Sequence, residues 1–245
     1  RDSPRTTQRA PPPMVDNIWT DFAQSYDVIC SQLNCYRRML AKILRDTQGC
    51  ETVIDAGCGT GLVSQALAAR GTSVVGFDNN PGMLGLAQRK QAAQPVEDRR
   101  RWTVLEGDVR SFPPGVSTRA DAVVLNNVLF YVREPEAVLR ESLAHLQPGG
   151  RLISAGPRRR PDLQKVMTKS IEEWQAEGRW DASLQAATAY HAELTRRLVS
   201  DPNEMVTFFE PEALVELLRG LGFSRVIAAD NDDYFGENYY VCMAR

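Results

Sequence analysis

The stretch VIDAGCGTGLVSQALAARG, residues 53–71, places glycines at positions 57, 59 and 61 between an apolar run and an amphipathic segment. This pattern predicts a strand, a tight turn and a helix, in which glycine lets the backbone approach a ligand closely. Dinucleotide-binding turns space their glycines as G-x-G-x-x-G, and their third glycine is replaced here by Leu62. The G-K-[ST] ending of a phosphate-binding loop is also absent. The turn therefore predicts an α/β unit whose ligand differs from a dinucleotide.

Short β-rich runs alternate with helical segments on both sides of this turn. The runs are TVIDAG, SVVGF, WTVLEG, ADAVVLN, RLISAG, RVIAAD and YYVCMA. Such alternation predicts βαβ units and a parallel sheet with helices on both faces. The last two runs are close enough in sequence to form an antiparallel hairpin. We predict an α/β three-layer sandwich with a mostly parallel seven-stranded sheet and an antiparallel hairpin at its C-terminal edge.

The rest of the chain predicts one domain with two helical additions. Residues 1–13 are polar and proline-rich, which indicates a disordered tail. Residues 14–245 are expected to form a single domain that begins with a helical cap over residues 14–48. A long helical segment at 157–205 interrupts the alternation and is expected to be an insertion.

Composition excludes several classes of function. The formal net charge is -2, which gives no bulk attraction to nucleic acid. The sequence shows neither a membrane-spanning apolar run nor a signal peptide, so we expect a soluble, cytoplasmic monomer or homodimer. Five cysteines without a CxxC pair and only two histidines predict no metal site. The expected partner is a small molecule.

The first two motifs resemble those of the class I S-adenosylmethionine-dependent methyltransferases of the small-molecule type, which have a Rossmann-like fold. The resemblance covers residues 15–156 and 208–245. It implies that motif I binds the cofactor. Asp55 would lie near the ammonium group of the cofactor, and three glycines would let the backbone approach it closely: Gly57, Gly59 and Gly61. In GFDNNPGML it implies that Asp78 binds the ribose hydroxyls and that Met83 packs against the adenine. Asn79 would add a polar contact to the sugar or the base.

Three further segments extend the same resemblance. In LEGDVRSFP, Asp108 and the backbone of Val109 are implied to contact the adenine, and in DAVVLNNVLFYV Asn126 matches the position under the sulfonium centre. Tyr131 is expected to line the exit toward the substrate. In FAQSYDVI, Tyr26 matches the tyrosine that closes over the methionine end. The alternative is that Tyr26 simply packs on its own amphipathic helix.

Candidate substrate residues carry open alternatives. His191 is a candidate general base, although a histidine on a helix is commonly just solvated. Arg158 follows a strand end and is a candidate for binding an anionic group, or it is solvated charge. The resemblance implies that the insertion at 157–205 is a lid over the substrate. Its aromatic residues are candidates for the substrate wall or for packing between helices: Trp174, Trp180 and Tyr190.

The predicted activity is transfer of a methyl group from S-adenosylmethionine to an O, N or C nucleophile of a small metabolite in natural-product biosynthesis, with S-adenosylhomocysteine as product. The proline pair that many base methyltransferases carry after the fourth strand is absent from NNVLFYV. One alternative is an NAD(P)-dependent reductase, which Leu62 and the lack of a Tyr-x-x-x-Lys pair disfavour. A second is a cofactor-binding scaffold without catalysis.

Overall fold

The computed structural model describes residues 18–200 and 205–245, so the predicted tail at 1–13 lies outside the described residues. The helices are α1 (Ile18–Gln32), α2 (Asn34–Asp46), α3 (Leu62–Ala68), α4 (Pro81–Ala93), α5 (Val96–Arg101), α6 (Pro135–His145), α7 (Leu163–Ala176), α8 (Ala182–Ser200), α9 (Pro211–Leu221) and the short α10 (Asp233–Gly236). The strands are β1 (Thr52–Ala56), β2 (Ser73–Asp78), β3 (Trp102–Glu106), β4 (Ala120–Asn126), β5 (Leu146–Pro157), β6 (Arg225–Asp232) and β7 (Asn238–Ala244).

The seven strands form one sheet in the order β3-β2-β1-β4-β5-β7-β6. The first five strands in sequence pair in parallel with their neighbours. β7 lies between β5 and β6 and is antiparallel to both. The predicted sheet and its antiparallel C-terminal hairpin are therefore confirmed, with β6 as the edge strand.

The sheet is covered on both faces, as a three-layer sandwich requires. Successive residues of a strand point to opposite faces, and the neighbours Val53 and Ile54 accordingly belong to different hydrophobic clusters. The first cluster includes Met39 of α2 and Leu67 of α3. The second includes buried residues of α6 and α9, such as Leu139. Both faces of the sheet are thus apolar and are packed against helices.

The two helical additions lie on the same side of the molecule. α1 and α2 precede β1, as predicted, and α7 and α8 follow β5 as the predicted insertion. α1 packs against both α8 and α4. In the described part of the chain, no helix has both the length and the apolar character needed to cross a bilayer.

Candidate functional site

A cavity of about 1390 Å³ opens at the carboxyl ends of the parallel strands. Asp55, Asp78 and Asn126, from β1, β2 and β4, line it. α1, α4, α7 and α8 contribute the surrounding walls. In an open α/β sheet the crevice forms where the strand order reverses, which here is between β1 and β4. Single-ligand pockets rarely exceed about 1000 Å³, so this cavity has room for two ligands.

Two glycines keep the floor of the cavity open. Gly57 and Gly59 both line it and have positive φ values of 75° and 54°. A Cβ on Gly57 would lie 2.6 Å from Cγ2 of Val128. A Cβ on Gly59 would meet only Sδ of Met83, at 3.9 Å, and would otherwise project into free space. Gly59 is therefore the position at which a side chain would occupy the space of a ligand.

Gly61 makes room for a packed side chain. It is absent from the cavity wall and stands at the N-terminus of α3 with a φ of 77°. A Cβ there would overlap the ring of Trp102, with Cη2 at 2.8 Å, and would lie 3.3 Å from Cβ of Ala87. The missing side chain of Gly61 therefore serves packing, and its contact with the cofactor stays a prediction.

Asp55 is a buried carboxylate with a 1% exposed surface. Its Oδ2 accepts hydrogen bonds from Oγ of Ser64 at 2.6 Å and from the Ser64 backbone nitrogen at 3.1 Å. Burial raises the pKa of Asp55 to about 6, although the Ser64 hydrogen bonds oppose this shift. No lysine or arginine of the described residues pairs with Asp55. The carboxylate is therefore placed to accept a cationic partner from the cavity.

Asp78 connects the glycine turn to the beginning of α4. Its Oδ2 accepts from the backbone nitrogen of Gly59 at 2.9 Å, and its Oδ1 accepts from that of Asn80 at 2.9 Å. Burial raises the pKa of Asp78 above its ordinary range. Asn80 caps α4 through a 3.0 Å hydrogen bond from the Met83 nitrogen to its Oδ1. Exposed Asn79 lies at the rim of the cavity beside this carboxylate.

Two buried polar atoms of the cavity residues have no hydrogen-bond partner among the described residues. They are Oδ1 of Asn126, at the end of β4, and Oγ1 of Thr60, in the glycine turn. An unsatisfied buried polar atom costs roughly 1–3 kcal/mol. A bound ligand that donates hydrogen bonds to these atoms would remove that cost.

The far end of the cavity combines apolar side chains with an ion pair. Met83 and Val109 line this part, and Met83 is buried. Asp108 accepts from Arg110, with Nε of Arg110 2.9 Å from Oδ1. The Arg110 guanidinium holds the pKa of Asp108 below its usual range. Asp108 thus faces the predicted adenine site, but it shares its oxygens with Arg110.

Two tyrosines predicted from the motifs lie on the cavity wall. Tyr26 of α1 packs on Phe22 with a centroid distance of 5.4 Å, and it also lines the cavity. Both interpretations of Tyr26 therefore agree with the structure. Burial raises its pKa, so the phenol is protonated. Tyr131 ends a short 3-10 helix, Leu129–Tyr131, and lines the cavity as predicted.

His191 of α8 is buried and lines the cavity. Its ring stacks on Phe22 at 5.0 Å, and Nδ1 lies 3.1 Å from Oγ of Ser25. Oγ of Ser25 donates to the Phe22 carbonyl at 3.2 Å, so Nδ1 of His191 is the donor to Oγ. Burial lowers the pKa of His191 to about 4. The ring is therefore neutral near pH 7, with a lone pair left on Nε2.

Comparison with known protein families shows to which family the chain belongs. A family model described as a methyltransferase domain matches residues 27–228, which include the glycine turn and the carboxyl ends of β1, β2 and β4. The chain belongs to this methyltransferase family.

Individual relatives of this methyltransferase are more distant. Ubiquinone biosynthesis O-methyltransferases of Pseudomonas putida and Pseudomonas fluorescens are 31% identical to it over 109 residues, 44% of this chain. The match spans only 45% of the length of these curated relatives. A solved S-adenosylmethionine-dependent methyltransferase from Thermotoga maritima is 18% identical, with a TM-score of 0.61 over 93% of this chain and 98% of that one.

Another solved structure is a magnesium protoporphyrin IX methyltransferase from Synechocystis with bound S-adenosylhomocysteine. It is 18% identical, with a TM-score of 0.56 over 96% of this chain and 90% of that one. At such identities, the shared feature is the fold. The Rossmann-like architecture of the methyltransferase is therefore confirmed.

The two tryptophans, candidates for the substrate wall or for packing between helices, take part in packing. Trp174 is fully buried, and its Nε1 donates to the Gln32 carbonyl at 2.9 Å. The partly buried Trp180 stacks on Trp174 with a centroid distance of 5.8 Å. Neither lines the cavity. The pair packs α7 against the end of α1, which agrees with the packing alternative.

Tyr190 and Arg158 also lie away from the cavity wall. Tyr190 is 55% exposed on the outer side of α8, because the neighbouring His191 occupies the inner side. Arg158 donates through Nε to Glu210 at 2.7 Å and through Nη1 to the Gly236 carbonyl at 3.1 Å. The Arg158 guanidinium therefore connects the segments that contain Glu210 and Gly236. This geometry does not support the prediction that Arg158 binds an anionic group of the substrate.

Among the polar cavity residues that sequence patterns missed are Thr60, Asn127 and Asn238. Thr60 lies inside the glycine turn and Asn127 directly follows a predicted residue, so proximity to the motifs was an available signal. Asn238 reaches the cavity only because β7 inserts beside β5. Its position depends on sheet topology, which the local sequence does not encode.

Proposed function

We propose that this methyltransferase transfers a methyl group from S-adenosylmethionine to an O, N or C nucleophile of a small molecule held in the cavity. The observation that carries the proposal is the pair of carboxylates at the floor, the buried Asp55 and the partly buried Asp78. Within the described chain, their hydrogen-bond donors are a serine and backbone nitrogens, with no cationic side chain. Such a site favours a ligand that is itself cationic.

The charge of Asp55 disfavours a dinucleotide. The pyrophosphate of NAD(P) carries negative charge, and the buried Asp55 carboxylate at the end of β1 would repel it in a low-dielectric site. Asp78 does not discriminate, because dinucleotide enzymes carry an acid at the same place to bind the ribose. S-adenosylmethionine instead brings a sulfonium and an ammonium group. The carboxylate at the end of β1, Asp55, is the candidate partner of the ammonium group.

The remaining cavity residues fit the other parts of this cofactor. Asp78 offers carboxylate oxygens to the ribose hydroxyls, and Gly59 leaves the space beside it open. Met83 and Val109 supply apolar surface to the adenine, and Asp108 offers an acceptor at its edge. Three more candidates complete the set: Gly57, Asn79 and Asn126.

The cofactor supplies an already activated methyl group when bound. The chain has to hold the acceptor in line with the bond between sulfur and the methyl carbon and to exclude water. α1 covers the cavity with Tyr26, and Tyr131 lies on its wall. The tyrosine side chains of Tyr26 and Tyr131 therefore line the cavity together with Asn126.

For a hydroxyl acceptor, His191 is the candidate proton acceptor. The acceptor oxygen forms its bond to the methyl carbon as the bond between carbon and sulfur breaks, and the hydroxyl proton passes to Nε2 of His191. The sulfonium charge disappears in the same step, so a positive charge on the ring leaves the net charge of the cavity unchanged. The bond between Nδ1 and Ser25 presets the required tautomer.

The acceptor side of the cavity is mainly apolar. α7 turns four apolar side chains toward it: Leu163, Val166, Met167 and Ile171. This lining supports a small-molecule acceptor with an apolar body, such as an intermediate of natural-product biosynthesis. The ubiquinone biosynthesis O-methyltransferases among the relatives favour oxygen as the accepting atom.

A transfer assay tests this function. The protein is incubated with S-adenosylmethionine and a panel of phenols, catechols, hydroquinones and aromatic amines, and S-adenosylhomocysteine is measured by mass spectrometry. We expect it to form together with a methylated product for at least one acceptor. Binding of the cofactor without product from any panel member would favour the scaffold alternative.

A further inference from the structure

Two carboxamides meet on the cavity wall beside Asn126. Asn127 follows β4, and Asn238 begins β7. Nδ2 of Asn238 donates to Oδ1 of Asn127 at 3.3 Å, and both residues line the cavity. Asn238 is 5% exposed, so its carboxamide is almost entirely enclosed.

This pair retains unused hydrogen-bonding capacity. A carboxamide offers two donor hydrogens and an acceptor oxygen. Among the described residues, the two side chains make no other hydrogen bond, which leaves the amide nitrogen of Asn127 and the oxygen of Asn238 available. If the nitrogen and oxygen of both carboxamides were exchanged, the pair would still have one NH₂ group and one carbonyl oxygen available for a ligand.

The backbone at Asn127 is held in an unusual conformation. Its φ is 57°, in the left-handed region that few side chains other than asparagine tolerate. Its nitrogen donates to the Ala155 carbonyl at 2.8 Å, which fixes this turn to β5. Backbone strain in proteins concentrates at functional sites, where surrounding structure maintains it. Here the fixed turn directs the chain from the strand end into the wall of the cavity.

Two carboxylates close to Asn238 in the sequence are already paired with lysines. The Asp233 carboxylate lies 3.0 Å from Nζ of Lys42, and Glu237 lies 2.8 Å from Nζ of Lys165. Residues next to Asn238 in the fold add apolar surface, with Pro157 as its register partner on β5 and Tyr234 in the preceding α10. A neutral group with an apolar body matches this environment better than an ion.

We infer that the carboxamides of Asn127 and Asn238 bind a neutral hydrogen-bonding group, a hydroxyl or an amide, of the methyl acceptor. The inference rests on the proposed function, because it takes Asn126 to mark the methyl end of the cofactor. Asn127 is the next residue, so a group bound by the pair lies close to the transfer position. The site selects an acceptor that combines an uncharged polar group with an aromatic or aliphatic body.

Binding of simple probes tests this inference without turnover. Isothermal titration of the protein saturated with S-adenosylhomocysteine is carried out with 2-naphthol, 2-naphthoate and naphthalene. A probe that forms a hydrogen bond with an otherwise unsatisfied carboxamide should bind about tenfold more tightly than a probe that cannot. We expect 2-naphthol to bind about tenfold more tightly than naphthalene and more tightly than 2-naphthoate.

Variants test whether the carboxamides of Asn127 and Asn238 cause the preference for 2-naphthol. Asn127→Gly removes the carboxamide but keeps the left-handed backbone accessible, so the preference for 2-naphthol should disappear while S-adenosylhomocysteine still binds. Thr168→Val, at another polar position of the cavity wall, is the matched control and should retain the preference.

Three results would overturn the inference. The first is equal binding of 2-naphthol and naphthalene by the unmodified protein, and the second is a preference that survives in Asn127→Gly. Either result, with S-adenosylhomocysteine bound, would leave the proposed function intact. The third is failure of S-adenosylhomocysteine itself to bind, which would overturn the proposed function and this inference together.

Discussion

Replacement of His191 by alanine should lower kcat for a hydroxyl acceptor by about 100-fold or more, because general base catalysis contributes at least that factor. The variant should bind S-adenosylmethionine with an affinity within about threefold of the unmodified protein, since general base catalysis concerns the acceptor's proton. Rates are measured with an acceptor found in the transfer assay. Since burial lowers the pKa of His191 to about 4, protonation of this ring should not reduce the rate between about pH 6 and pH 8.

Two further variants separate catalysis from packing. Tyr190→Ala changes the exposed neighbour of His191 and should leave kcat unchanged. Ser25→Ala removes the partner of Nδ1 and should lower kcat by about tenfold, because the ring is then free to adopt the other tautomer. A His191→Ala variant whose kcat stays within about threefold of the unmodified protein would remove His191 as the base.

Replacement of Gly61 by alanine should destabilise the protein by about 2–5 kcal/mol. Left-handed backbone costs a residue with a Cβ roughly 1–2 kcal/mol. Overpacking a core costs typically 1–3 kcal/mol more. Both apply at Gly61, whose φ is 77° and whose added Cβ would overlap the buried ring of Trp102. Urea denaturation followed by circular dichroism measures the loss as a lower midpoint.

Gly59→Ala is the matched control for this prediction. Its φ of 54° imposes a comparable backbone cost, but its Cβ would meet only Met83, at 3.9 Å. We expect a loss of about 1 kcal/mol in the free energy of unfolding, together with weakened cofactor binding, because the Cβ projects into the cavity. Equal destabilisation by the two substitutions would contradict the assignment of Gly61 to packing and of Gly59 to the ligand site.

The floor of the site could be predicted from the sequence because its residues end successive parallel strands. Asp55, Asp78 and Asn126 each close an apolar run, and parallel strands bring such positions to one edge of the sheet. Their convergence on one cavity follows from the alternation of strands and helices, and the structure confirms it.

Long-range packing limited the predictions elsewhere. The helical pattern around Trp174 shows that one face is apolar, but not that Gln32, from α1, receives its indole hydrogen. Arg158 is likewise paired with Glu210, from the region before α9. Gly61 shares its spacing with Gly57 and Gly59, which line the cavity, and only the position of Trp102 reveals its role in packing. Such contacts between distant segments are set by the tertiary fold and leave no local signal.

The most direct test of the account is calorimetric titration of the unmodified protein with S-adenosylmethionine and, separately, with NADH. The buried carboxylate of Asp55 and the replacement of the third dinucleotide glycine by Leu62 predict micromolar binding of the cationic cofactor and no measurable binding of NADH, whose pyrophosphate is anionic. Asp78→Asn should weaken S-adenosylmethionine binding strongly, because a ribose acceptor and the bond to Gly59 are altered together. Tighter binding of NADH than of S-adenosylmethionine would contradict the account.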